Sequence, residues 1–129
     1  MDADEFRRRG HELIDWIADY VEGVGDRRVS PDAAPGAVRA ALPAHPPLAP
    51  EPWEAIRQDL DDIVVPGIVH WQHPSFFAYF PSNTSYPSIL GELLSAGLGV
   101  QGMSWVTSPA CTEIETLMLD EDRNVRIIS

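Results

Sequence analysis

The chain has 129 residues, enough for one domain with a core, and a net charge of −11 that disfavours a nucleic-acid partner, which needs clustered basic groups. Pro is used at about twice the ordinary rate, all nine basic residues are Arg, and there is no Lys. A single Cys excludes an intrachain disulfide, the acidic start lacks the apolar core of a signal peptide, and no apolar run reaches membrane-spanning length. The expected location is the cytoplasm.

Residues 3 to 23 predict an amphipathic helix. Phe6, Leu13, Ile14, Ile17 and Val21 recur at spacings of three and four, Trp16 and Tyr20 widen the stripe, and Gly23 and Gly25 supply a stop. Arg7-Arg8-Arg9 reads as a polyanion site or as a solvated, salt-bridging face; the surrounding acids favour the second. From Asp26 to Pro52 seven prolines mark a stiff arm. Gly36 to Leu42 predicts one short helix within it, with Pro35 at its first position. The piece from Ala44 to Pro50 should be extended. Residues 53 to 65 predict a second amphipathic helix on Trp53, Ile56, Leu60 and Ile63, ended by Pro66-Gly67.

The segment from His70 to Pro87 is the most informative. It holds six aromatic rings, two imidazoles, four short hydroxyl side chains and three prolines, with no Lys, Arg, Asp or Glu. The prolines argue against a helix. Rigid rings fixed by prolines and dotted with hydroxyls describe either filling for a core or one wall of a mostly apolar pocket. Residues 87 to 98 predict a third helix, apolar nearly all round and therefore buried, in this chain or in a partner. Ser108-Pro109 predicts the start of a fourth helix, which is expected to dissolve into charge after Leu119.

Chemistry-bearing residues are few. His70 and His73 lack further ligands nearby, so no metal site is expected. Cys111 is expected as a small buried residue rather than a reactive thiolate. No catalytic acid–base pair, nucleophile motif or phosphate loop can be assigned.

The ordered motifs Glu5-Phe6-Arg7-Arg8-Arg9-Gly10, Pro66-Gly67, His70-Trp71, Phe76-Phe77-Ala78-Tyr79-Phe80-Pro81, Ser85-Tyr86-Pro87, Ser104-Trp105 and Ser108-Pro109-Ala110-Cys111-Thr112-Glu113 resemble the start of the pyridoxal-phosphate-dependent group II amino-acid decarboxylases, from Asp4 to about Asp120. The resemblance implies a mainly α segment, about four helices with a Pro-rich arm and an aromatic loop, forming the N-terminal part of a fold type I (α/β) protein. It implies residues 1–120 as that segment and 121–129 as a tail outside the family pattern. It implies a homodimer, an amino-acid substrate and pyridoxal 5'-phosphate as cofactor, with no membrane partner. It places substrate-pocket side chains at Trp71, Tyr79, Phe80, Pro81 and Ser82, and at Gln101 and Met103 from across the dimer.

Aromatic-specific members tend to carry apolar or aromatic residues at those last two positions and Thr where Ser82 stands, so the substrate stays open. The family's cofactor-holding Lys, Asp and His correspond to positions beyond residue 120, and with no Lys the chain alone is expected to be inactive. Two readings follow: the N-terminal portion of a decarboxylase of (aromatic) L-amino acids, or a non-catalytic dimerisation or regulatory fragment of that fold. A third, an unrelated small helical protein with an aromatic pocket, does not explain the ordered motifs.

Overall fold

A computed structural model describes residues 1–80 and 84–124, with side chains to 120. The chain divides into two compact units, Met1–Asn83 and Thr84–Ser129. Among the described residues the regular structure is helical, with no strand.

In the first unit, helix α1 spans Ala3–Gly23, as the apolar stripe predicts. Asp2 caps it by accepting from the Glu5 N–H at 2.8 Å. Gly23 does not stop it with a left-handed turn. Its φ is −90°, and the chain tightens into a 3-10 turn over Val24–Asp26. The arm then reaches Pro35-Gly36. Gly36 has φ 92° and the Ala37 N–H bonds the Ala34 carbonyl at 3.0 Å, the signature of a type II turn with Pro second and Gly third. Pro35 therefore sits in the turn, and the short helix α2 begins after it, Ala37–Ala41.

Helix α3 spans Trp53–Asp59, widens into a π-helical turn over Leu60–Val64, and resumes as α4, Val65–Gly67. Pro66 was expected to end the helix. It lies inside because the wide turn opens the ladder ahead of it, where a proline has no N–H to give and would crowd the carbonyl four residues back. Gly67 is needed here: a Cβ on it would lie 2.8 Å from Val38 Cγ2 on α2.

Helices α1 and α3 are clasped by reciprocal polar and ring contacts. Arg9 pairs with Glu54 and its guanidinium lies 5.7 Å from the centre of the Trp53 ring. Arg57 pairs with Asp61 at 2.8 Å and lies 5.0 Å from the Trp16 ring. Trp53 Nε1–H donates to Glu12 and Trp16 Nε1–H to Asp61, both at 3.0 Å. The Arg57 and Trp16 hydrogen bonds hold the Asp61 carboxyl below its ordinary pKa. Contacts advance together along both helices, so they run side by side in the same direction, and the Pro-rich arm is the return crossing that this requires. Arg7 and Arg9 of the basic triplet are salt-bridged, to Asp4 and to Glu12 and Glu54.

In the second unit, α5 spans Tyr86–Leu98, one residue earlier than expected, because Ser85 and Ser88 form a reciprocal capping box with Pro87 in the first turn. Gly99 closes it in the left-handed region at φ 61°. Helix α6 spans Pro109–Asn124, with Ser108 receiving the Cys111 N–H at 3.4 Å. Its expected end after Leu119 was too early. No Pro or Gly interrupts residues 120–124, so nothing there breaks the helix already under way.

The core within these residues is small. Val24 and Val65 are the buried apolar side chains, while Phe6, Ile14, Ile56, Leu90, Leu94 and Leu98 are exposed. Among the described residues, no helix is long and apolar enough to cross a membrane.

Gly67→Ala is expected to destabilise the first unit by about 1–3 kcal/mol through overpacking, and adding Val38→Ala to restore most of it. Urea unfolding checks this; an unperturbed single variant contradicts the close approach.

Candidate functional site

The aromatic stretch is built onto α1 and the residues that follow it. The His70 N–H donates to the Val29 carbonyl at 2.9 Å, and the Tyr20 hydroxyl and His70 Nδ1 share a hydrogen bond of 2.7 Å. His70 is buried. Burial first, then the positive charge of Arg27, lower its pKa and favour the neutral ring. Burial pushes the Tyr20 phenol up, with Arg27, 5.5 Å from its ring, pulling back in part.

His73 makes the second tie. Its Nδ1 accepts from the Ser75 N–H at 2.9 Å and its Nε2 faces the Arg27 carbonyl at 3.1 Å. An amide can only donate and a carbonyl can only accept. The His73 ring is therefore neutral with its proton on Nε2. Successive turns follow, His73 N–H to the His70 carbonyl at 3.0 Å and Phe76 N–H to the His73 carbonyl at 2.9 Å.

On this base stand three rings. The Trp71 centroid lies 5.0 Å from that of Phe76, tilted by 31°, and 5.7 Å from that of Tyr79, stacked within 10°. Tyr79 has φ 60°, the left-handed region, where a bulky side chain is a genuine outlier. Phe77, Tyr79 and Phe80 are 90%, 81% and 100% exposed, so these rings fill no core among the described residues of this unit. The stretch forms an open face rather than a closed pocket.

Of the sequence-predicted site residues, the structure brings together Trp71 and Tyr79, and Phe80 follows directly. Pro81 and Ser82 lie outside the described residues. Gln101 and Met103 lie between α5 and α6 in the second unit, where Ser104 and Thr107 form a turn; Met103 is exposed. The anchor of Tyr20, His70 and His73 escaped the sequence reading, which placed Tyr20 with the apolar stripe. The signal was there in a phenol on the inward face of a helix, which needs a partner when buried.

A separate depression of about 550 Å³ lies beside His70, lined in part by Arg27, Arg28, Asp32, Pro66 and Ile68. Arg28 pairs with Asp32 at 3.1 Å. None of Trp71, Tyr79 and Phe80 lines this space.

Among the described residues, no group of three or more His, Cys, Asp or Glu is placed to hold a metal. Cys111 is part-buried in the first turn of α6. The buried polar side chains, His70 and Ser108, are engaged by Tyr20 and by the α6 cap, and the sequence has no amine side chain. These residues do not fit a covalently held cofactor.

The profile of the pyridoxal-dependent decarboxylase conserved domain matches residues 35–126. The aromatic-L-amino-acid decarboxylase of Bos taurus is 51% identical over 120 residues, 93% of this chain and 25% of that protein. The crystal structure of Catharanthus roseus tryptophan decarboxylase in complex with L-tryptophan superposes with a TM-score of 0.88 at 39% identity, covering 93% of this chain and 26% of that one. Oryza sativa TDC with PLP and tryptamine gives 0.88 and 39%, covering 93% and 25%. The chain thus spans about a quarter of the length of the relatives it matches.

Tyr20→Phe keeps the ring but leaves His70 Nδ1 unpaired in a buried place, a loss of about 1–3 kcal/mol of local stability. Amide exchange at His70, His73 and Phe76 should quicken accordingly, and unchanged protection contradicts the anchor. The pH dependence has a definite sign. With its folded pKa below the ordinary 6.5, His70 takes up a proton more readily when unfolded, so the anchor is at full strength above that value and weakens as pH falls through it. Protection of these amides should fall between pH 7.5 and 5.5, with a smaller fall in His70→Gln.

Proposed function

The chain belongs to the pyridoxal-dependent decarboxylase family, and from that premise we propose that it is the N-terminal portion of a carboxy-lyase that converts an aromatic L-amino acid to its amine, supplying one wall of the substrate pocket and part of a homodimer interface. The observation that carries the reading is the exposed ring face of Trp71, Tyr79 and Phe80, held in place by the histidine anchor. Flat, rigid rings offer a large apolar area and lose little freedom when a ligand ring settles on them. Trp71, Tyr79 and Phe80 pack against the substrate side chain. Pro81, Ser82, Gln101 and Met103 complete the pocket, the last two from the partner subunit. None of these is a strong acid or base, so they orient rather than react.

Pyridoxal phosphate supplies the electron sink for decarboxylation in such enzymes. This chain has no Lys to hold it, so its own part is to bind the amino acid and aim the scissile bond. The exposed apolar faces of α1, α3 and α5 call for a cover, and in the homodimer reading a second subunit supplies part of it. The lone Cys supports a reducing, cytoplasmic setting for this reading. The second reading is a dimerisation or regulatory module of that fold that pairs with a complete subunit.

Purified residues 1–129 with pyridoxal phosphate should release no carbon dioxide from L-tryptophan or L-tyrosine above a no-protein control. In a full-length protein carrying this segment, Tyr79→Ala should weaken turnover and apparent affinity together, by about 3–5 kcal/mol if the assembled site is fully enclosed. Unchanged kinetics overturn the pocket reading. A chain that alters the activity of a complete subunit on mixing, with no effect of Tyr79→Ala, favours the regulatory one.

A further inference from the structure

We propose that Phe76 is a positioning residue: it fixes the plane of the Trp71 ring and so sets the preference of the site for a flat aromatic side chain. The proposal rests on the pocket reading above, in which Trp71 and Tyr79 touch the substrate.

Trp71 has two ring neighbours from its own segment, Phe76 at 5.0 Å and Tyr79 at 5.7 Å. Of the three, Phe76 is the least exposed and the best tethered. Its N–H is held by the His73 carbonyl at 2.9 Å, and His73 is itself fixed at both ring nitrogens. Phe76 therefore belongs to the base of the stack, while Trp71, 44% exposed, retains free ring area.

The backbone of Tyr79 supplies the second observation. An aromatic residue at φ 60° carries strain, and strain persists where surrounding interactions impose it. Burial offers Tyr79 little in return, because its side chain is largely open within this chain. What the conformation does achieve is a Tyr79 ring nearly parallel to Trp71. A strained residue that gains a ring alignment and little burial is arranged for a ligand. The alignment depends on Trp71 keeping one orientation, and Phe76 is the ring that holds it from the anchored side. A leucine there would fill similar space without a ring edge to orient the indole, whereas a tyrosine keeps the ring.

The test is steady-state kinetics on the full-length holoenzyme carrying this segment, with L-tryptophan and L-tyrosine. Phe76→Leu should raise KM about two- to tenfold with kcat within about twofold, and Phe76→Tyr should restore the wild-type KM. A wild-type KM in Phe76→Leu overturns the proposal. So does an equal rise in Phe76→Tyr, or a fall in kcat matching the rise in KM, which would mark general loosening. Tyr79→Ala separates the two levels of the argument. If it is impaired while Phe76→Leu is normal, only the positioning role fails; if Tyr79→Ala is also normal, the pocket reading fails with it.

Discussion

The hydrogen bond between the Tyr20 phenol and the buried His70 imidazole joins the two parts of the first unit that matter for function. On one side is α1, a helix whose position is fixed by its clasp with α3. On the other is a segment with little regular structure of its own, rich in rings and prolines. Without a tie of this kind, a loop carrying Phe77, Tyr79 and Phe80 open to solvent would collapse its rings onto the nearest apolar surface. The His70 N–H to Val29 and the two committed nitrogens of His73 extend the tie over six residues, so the loop enters the ring stack with its backbone already set.

The clasp above the anchor follows the same logic. Arg9 and Arg57 each lie near a tryptophan ring and each pair with a carboxylate, while both tryptophans donate to carboxylates on the facing helix. Exposed ion pairs taken singly are worth little. Here they share partners with cation–π and indole hydrogen bonds, which fixes the register of α1 against α3 more than it adds stability. Tyr20 therefore arrives opposite His70. The apolar core is small by comparison, since Val24 and Val65 are its buried side chains among the described residues. That imbalance fits a chain spanning a quarter of the length of its relatives.

Periodicity made the helices legible, because α1 and α3 show their apolar stripes openly and Ser108 announces α6 by side-chain chemistry. The misreadings have local causes. Pro66 reads as a terminator because a π-helical turn leaves no mark in the pattern, and Pro35 reads as the first helical residue although it sits in the turn before α2. Trp71, Tyr79 and Phe80 stood out by composition. The anchor did not, since Tyr20 and His70 are 50 residues apart and each has an innocent local reading. Nor could the left-handed backbone of Tyr79 be read from its identity, because bulky residues rarely adopt that region.

The central claim is that the ring segment is preset by a neutral, doubly committed histidine anchor. Long-range proton–nitrogen NMR of protein labelled at histidine side chains tests it directly, since ring nitrogen shifts report which nitrogen carries the proton. At pH 7.5 the account predicts a His73 ring in a single neutral tautomer protonated at Nε2, and a neutral His70. A His73 proton on Nδ1, an averaged tautomer, or an imidazolium at either position would contradict it.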